Sequence, residues 1–246
     1  MDYSSLARSY NILSYASQLR ELLCAFFQTD KYEGLTKYEL AKTVNDLVFK
    51  HYEGEQILKY KIAKEFRNKK YIAAFEVNAK SSRTDFLVIN GDTKSFEVKS
   101  KIDTLNRLNK QIRDYGDVFE FNTVVIDKVH LSNVIGILPE YYGIWYFEGT
   151  KKIVHRRAAY SPKINAAEQL CLFNKIELMK SFGSVNREEI LVSNDSITIN
   201  QALKEMLKKR YIDRWNFVKS NWNQILPIDL QFFFNTNVNP EIIYEI

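Results

Sequence analysis

The chain has 246 residues, 46% of them hydrophobic and 26% charged, with only 8 Gly and 4 Pro; this composition supports a buried core and excludes a collagen-like, disordered or linker-rich protein. The net charge of +5 suits a polyanionic partner without specifying one. Two distant cysteines, Cys24 and Cys171, and three isolated histidines, His51, His130 and His155, argue against a disulfide framework and against a zinc cluster.

In chain order, Leu6, Tyr10, Leu13, Ala16, Leu19, Leu22 and Phe26 keep helical spacing and predict a helix over 5–28. The opening MDYSSLARSYNIL lacks the basic-then-apolar pattern of a signal peptide, and the expected location is cytoplasmic, with no membrane partner. A second helix is expected over 36–51, with Thr36 and Glu39 as a capping pair, and a third over 55–68. The period then shortens. YIAAFEV (71–77), TDFLVIN (84–90), KSFEVKS (94–100), NTVVID (122–127) and GIWYFEG (143–149) read as strands, with a helix from Asp103 to Gly116 between the third and fourth. From Ser161 the pattern returns to helix, and the tail QFFFNTNVNPEIIYEI is apolar enough to pack back on the body. The order predicts an α/β protein with a mixed sheet and helical additions at both ends. The expected divisions are an N-terminal helical extension (1–50), a core (51–155) and a C-terminal, mostly helical region (156–246) packed on that core.

The stretch RTDFLVINGDTKSFEVKS places Asp85, Glu97 and Lys99 in apolar company, where a charge is costly unless compensated. Residues two apart on a strand share a face, so Glu97 and Lys99 point into one cleft. Asp85 joins them only if the connecting loop has an odd number of residues or the hairpin carries a bulge. A two-residue turn, the ordinary reading of Asn90-Gly91, would turn Asp85 away; a three-residue loop Asn90-Gly91-Asp92 sets Ile89 across from Thr93 and Asp85 across from Glu97. Two facing carboxylates make a hard-oxygen pair suited to Mg²⁺ or Mn²⁺, and a lysine beside them can orient a water or stabilise developing negative charge. On the following helix Asp103, Arg107 and Gln111 are expected to form one polar line, with Lys101, Lys110 and Arg113 nearby as nucleic-acid contacts.

The RTD at 83–85, the EVK at 97–99 and the Gln111/Tyr115 pair resemble the motifs of the PD-(D/E)xK nuclease superfamily, with Thr84 where a proline is usual. RTDFLVING, FEVKSKIDTLNRLNKQIRDYGDVFEFNTVVI and PEYYGIW are similar to an uncharacterised bacterial branch of small nuclease-like proteins, and the similarity spans roughly residues 50 to 215. The resemblance implies a restriction-endonuclease-like α-β-β-β-α-β core and a metal-dependent nuclease of bacterial or phage origin acting on DNA. It implies Asp85, Glu97, Lys99 and Gln111 as catalytic residues. Asp85, Glu97 and the Val98 carbonyl would be metal ligands, with Glu76 as a further one and Glu55 as the candidate from the first core helix, in competition with Glu53 and Glu65. Two other readings stand beside it: a non-catalytic nucleic-acid-binding module, and a scaffold whose helical ends bind a protein partner.

Overall fold

A computed structural model describes residues 2–245. Four helices come first: α1 (Tyr3–Ser9), α2 (Ala16–Phe27), α3 (Lys37–His51) and α4 (Glu55–Phe66). The single helix expected over 5–28 is two. Asn11 Oδ1 accepts the Leu13 N–H at 2.9 Å, a local turn that competes with helix, and the expected stripe breaks there: Leu6 and Leu19 are buried, but Leu13 is 56% exposed and Ile12 and Leu23 turn inward instead. The capping box at α3 forms as expected: Thr36 Oγ1 accepts the Glu39 N–H, and Glu39 accepts the Thr36 N–H.

The strands follow: β1 (Ile72–Ala79), β2 (Ser82–Ile89) and β3 (Thr93–Lys99), then helix α5 (Leu108–Gly116), β4 (Phe121–Ile126), α6 (Leu131–Ile137), β5 (Gly143–Glu148) and β6 (Lys151–Arg156). They make one six-stranded mixed sheet whose spatial order is the chain order. β1, β2 and β3 run antiparallel, β3, β4 and β5 are parallel, and β6 returns antiparallel to β5. The protein is thus α/β, with a mixed sheet flanked by helices. Strand β6 was not anticipated, because KKIVHR is a half-exposed edge segment with little apolar content. Helix α5 begins five residues later than expected. Asp103 accepts both the Ser100 N–H (2.7 Å) and the Ser100 hydroxyl (2.6 Å), which holds 100–103 in a turn.

The C-terminal part is helical: α7 (Ala166–Leu170), α8 (Lys175–Phe182), α9 (Arg187–Ser193), the 25-residue α10 (Ser196–Ser220), α11 (Leu230–Thr236) and α12 (Pro240–Glu245). One apolar cluster runs from Leu6 through β1–β3 to Trp215, Phe233, Phe234 and Tyr244. A second, smaller cluster joins Leu108 and Ile112 of α5 to Val124, Ile126, Val134 and Ile144. Successive residues of β4 feed opposite sides: Val125 belongs to the first cluster and Val124 and Ile126 to the second. The tail packs back, as its apolar content predicts. Gly143, at the start of β5, is pressed so closely on Thr123 and Ala158 that a Cβ there would lie 2.7 Å from Thr123 Oγ1 and 3.0 Å from the Ala158 nitrogen.

Candidate active site

The β2–β3 connection is the three-residue loop Asn90–Asp92. Ile89 pairs with Thr93 and Phe86 with Phe96, the register that puts Asp85 level with Glu97. Gly91 sits at φ +105°, a conformation open to glycine and strained for other residues. Beyond the Phe86–Phe96 pair the ladder stops. Asp85 uses the gap: its Oδ2 accepts the Val98 N–H at 2.7 Å. In an extended strand the N–H and C=O of one residue point to the same side, so the Val98 carbonyl faces this gap too.

The β1–β2 register continues the row. Phe75 pairs with Phe86 and Val77 with Thr84, which sets Glu76 level with Asp85. Glu76 itself leaves the ladder and adopts φ +56°, in the sparsely populated left-handed region. A strained non-glycine residue inside a strand persists only where surrounding contacts hold it, and such residues cluster at functional sites. Glu76, Asp85 and Glu97 therefore cross three adjacent strands.

Glu97 is 3% exposed and fully engaged. Its Oε1 accepts from Lys99 Nζ at 2.6 Å and from Gln111 Nε2 at 2.5 Å, and its Oε2 accepts from the Tyr115 hydroxyl at 2.7 Å. Burial, then the neighbouring Asp85 charge, push the Glu97 carboxyl up to about 7, against the pull of Lys99 and Tyr115. Burial likewise raises Asp85, with Lys59 and the Val98 N–H opposing it. Tyr115 is driven upward by burial and by Glu97, so it stays a neutral donor.

The cavity these residues share has a volume of about 510 Å³ and a strongly polar wall. Of the sequence candidates, Asp85, Glu97, Val98, Lys99, Gln111, Glu76, Glu55, Asp103, Arg107 and Lys110 line it. Two do not. Lys101 is exposed and pairs with Glu53 at 2.8 Å, which also takes Glu53 away from the site. Arg113 points outward on α5 and is exposed. Glu65 is likewise elsewhere, paired with Lys152 at 2.7 Å. Because α5 starts only at Leu108, Asp103 and Arg107 precede it and do not share a helical line with Gln111, although all three reach the cavity.

The most buried of the residues that sequence reasoning missed is Lys59. It is 4% exposed, and its ammonium lies 2.6 Å from Glu76 Oε1, 3.0 Å from Asp85 Oδ1 and 3.3 Å from Glu55 Oε1. Burial alone would lower its pKa; Asp85, Glu55 and Glu76 outweigh that and hold it above the ordinary lysine value. A signal was present: Lys59 precedes Ile62, Ala63 and Phe66 by three, four and seven positions, so it lies on the buried stripe of α4. Arg83, also missed, forms a close ion pair with Glu76, and Lys80, Arg83, Arg107 and Lys110 place positive charge in the cavity wall.

The donor set fits a divalent cation at Asp85 and Glu97. Both offer hard carboxylate oxygens to one cavity, and burial drives both toward the neutral acid, with Asp85 raising Glu97 further and Lys59 and Lys99 opposing. In the same wall Gln111 Oε1 is buried without a hydrogen-bond partner. Glu76 and Glu55 are taken up by Lys59. Among the described residues no three His, Cys, Asp or Glu side chains converge closely enough to form a cage by themselves.

A family model described as bacteriophage P4 protein cII matches residues 51–233, a span that covers the sheet, the cavity and most of the C-terminal helices. A solved structure, the SPO1766 protein of unknown function from Silicibacter pomeroyi, is similar over 48% of this chain and 80% of its own, at 19% identity and a TM-score of 0.38. No curated protein matches the chain.

Proposed function

We propose that this chain, which belongs to the bacteriophage P4 protein cII family, is a metal-dependent nuclease that hydrolyses phosphodiester bonds in DNA on a restriction-endonuclease-like core. The core would be α4-β1-β2-β3-α5-β4, the order that the PD-(D/E)xK resemblance implies. The observation that carries the reading is the convergence of Asp85 and Glu97 across one hairpin, with Lys99 and Gln111 attached to Glu97, at the wall of a polar cavity.

Asp85, Glu97 and the Val98 carbonyl would hold Mg²⁺ or Mn²⁺, which when bound polarises a phosphate oxygen and acidifies a water. The chain's own residues do the rest. Lys99, 2.6 Å from Glu97, carries three donor protons and needs only one for that contact; the others are free to orient the attacking water or to meet charge building on phosphorus. Tyr115 and Gln111 fix the Glu97 carboxylate so that it does not rotate as charge develops. Lys110, Arg107, Arg83 and Lys80 offer charge-assisted contacts to a phosphate backbone. A family named for a bacteriophage protein is compatible with a bacterial or phage setting.

The test uses purified protein with Mg²⁺ or Mn²⁺ on plasmid, linear duplex, single-stranded DNA and RNA. Cleavage is expected on DNA, reduced at least about 100-fold by Asp85→Asn and by Lys99→Ala. Equal cleavage by wild type and both variants would assign the activity to something else.

A second reading, a nucleic-acid-binding module without catalysis, is favoured by one observation: Lys59 and Lys99 already neutralise the carboxylates. Binding that weakens steeply with salt, in a protein that cleaves nothing with any divalent ion, would select it.

A further inference from the structure

We propose that Lys59 is a built-in cation that takes the place of a second metal ion, so that the cavity accepts one divalent ion at Asp85–Glu97 and no other. This rests on the metal-dependent reading above and adds to it the number of ions and the residue that sets it.

Four oxygens from four elements surround the Lys59 ammonium: Glu55 Oε1 of α4 at 3.3 Å, Glu76 Oε1 of β1 at 2.6 Å, Asp85 Oδ1 of β2 at 3.0 Å and Gln231 Oε1 of α11 at 3.3 Å. Three carboxylates and an amide oxygen are the hard-oxygen donors that proteins use for Mg²⁺, Mn²⁺ or Ca²⁺. Here they are spaced for an ammonium, which sits at hydrogen-bond distance, rather than for a bare ion, which would draw oxygens to roughly 2.1–2.4 Å.

The arrangement is not an ordinary surface salt bridge. Lys59 is 4% exposed, and its position on the buried stripe of α4 directs the ammonium into the sheet end instead of to water. Glu76 reaches it from a left-handed backbone, a strained conformation that the contact helps to hold. Asp85 is divided, with Oδ1 on Lys59 and Oδ2 on the Val98 N–H, and each oxygen keeps acceptor capacity beyond that one contact. A second divalent ion beside a fixed ammonium would meet like-charge repulsion in a poorly screened site. Without the ammonium, buried Asp85 and part-buried Glu76 and Glu55 would lose the cation they share, with only Arg83 left on Glu76, and the freed oxygens would draw a cation from solution.

The experiment counts Mn²⁺ bound at saturation, by calorimetry and by the electron paramagnetic resonance signal of free Mn²⁺, on the full chain and on Lys59→Met and Lys59→Arg. Wild type is expected to bind one ion, Lys59→Met two, and Lys59→Arg one. Two ions on wild type would overturn the assignment, as would a single ion on both wild type and Lys59→Met. None on wild type but one on Lys59→Met would overturn the one-ion count together with the nuclease reading, whereas the two preceding outcomes overturn the count and leave that reading standing. Should Lys59→Met be unfolded in chelator, Mn²⁺ is expected to restore its circular dichroism; no recovery at any Mn²⁺ concentration that leaves wild type unaffected would overturn the assignment.

Discussion

At the scale of single residues, Glu97 is a buried carboxylate held by Lys99, Gln111 and Tyr115, and Tyr115 is the neutral hydroxyl among its donors. The Tyr115 hydroxyl donates to Glu97 Oε2 at 2.7 Å and also lies 2.8 Å from the Arg83 carbonyl oxygen. Tyr115→Phe is expected to destabilise the fold by about 1–3 kcal/mol, since it strips a buried carboxylate of a partner, a loss that urea denaturation would measure. The same change should push Glu97 further up, because the hydroxyl favours the charged form. The acid limb of the cleavage–pH profile should therefore move to higher pH; an unmoved limb would mean that Glu97 does not need to ionise for activity. The charges of Asp85, Glu97 and Lys99 were legible because each interrupts an apolar strand. Lys59 was not, because a lysine on a helix reads as solvated until the partners that keep it buried, 17 and 26 positions away in Glu76 and Asp85, are known.

At the scale of elements, the hairpin loop decides the site. Asn90-Gly91 by itself would favour a two-residue turn, yet the chain forms three residues, with Asn90 N–H donating to the Asp92 carbonyl at 3.1 Å. Alternation then leaves Asp85 and Glu97 on one face, as catalysis of the proposed kind requires. Gly91 at φ +105° has open space where a Cβ would stand, so its role is conformational. Gly91→Ala should cost roughly 1 kcal/mol or more through backbone strain alone, read as a fall in melting temperature. The metal binding proposed at Asp85–Glu97 should be retained unless the loop changes length; lost binding with unchanged stability would contradict that account. Helix α5 shows the opposite case. Its apolar stripe was legible, but its start was not, because Asp103 satisfies Ser100 and holds the preceding segment as a turn.

At the scale of the whole molecule, Asp229 ties the two ends of the chain together. It is 3% exposed and accepts from the hydroxyls of Tyr10 at 3.0 Å and Tyr244 at 2.9 Å, with Asn45 Nδ2 at 3.4 Å. Burial pushes it up to about 7, with the two tyrosines, Asn45 and Lys37 pulling the other way. A carboxyl raised above its unfolded value binds more protons in the folded state, so its contribution is greatest at low pH and is lost as pH rises from about 4 through 7. The loss amounts to at most about 4 kcal/mol over that window. Asp229→Asn should therefore gain stability relative to wild type as pH rises from 4 to 8. Parallel melting curves that stay a constant distance apart would show that Asp229 does not titrate in this range.

The amino-acid sequence by itself determined the α/β class, the order of the first five strands, the apolar tail and the chemical identity of Asp85, Glu97, Lys99 and Gln111, because periodicity and charge in apolar runs are local properties. Only the tertiary structure decided that Lys59 stands among three carboxylates, that Lys101 and Arg113 stay outside the cavity, and that Tyr10, Asn45 and Tyr244 meet at Asp229. Those facts depend on contacts between segments far apart in the chain, where packing rather than local preference selects each partner.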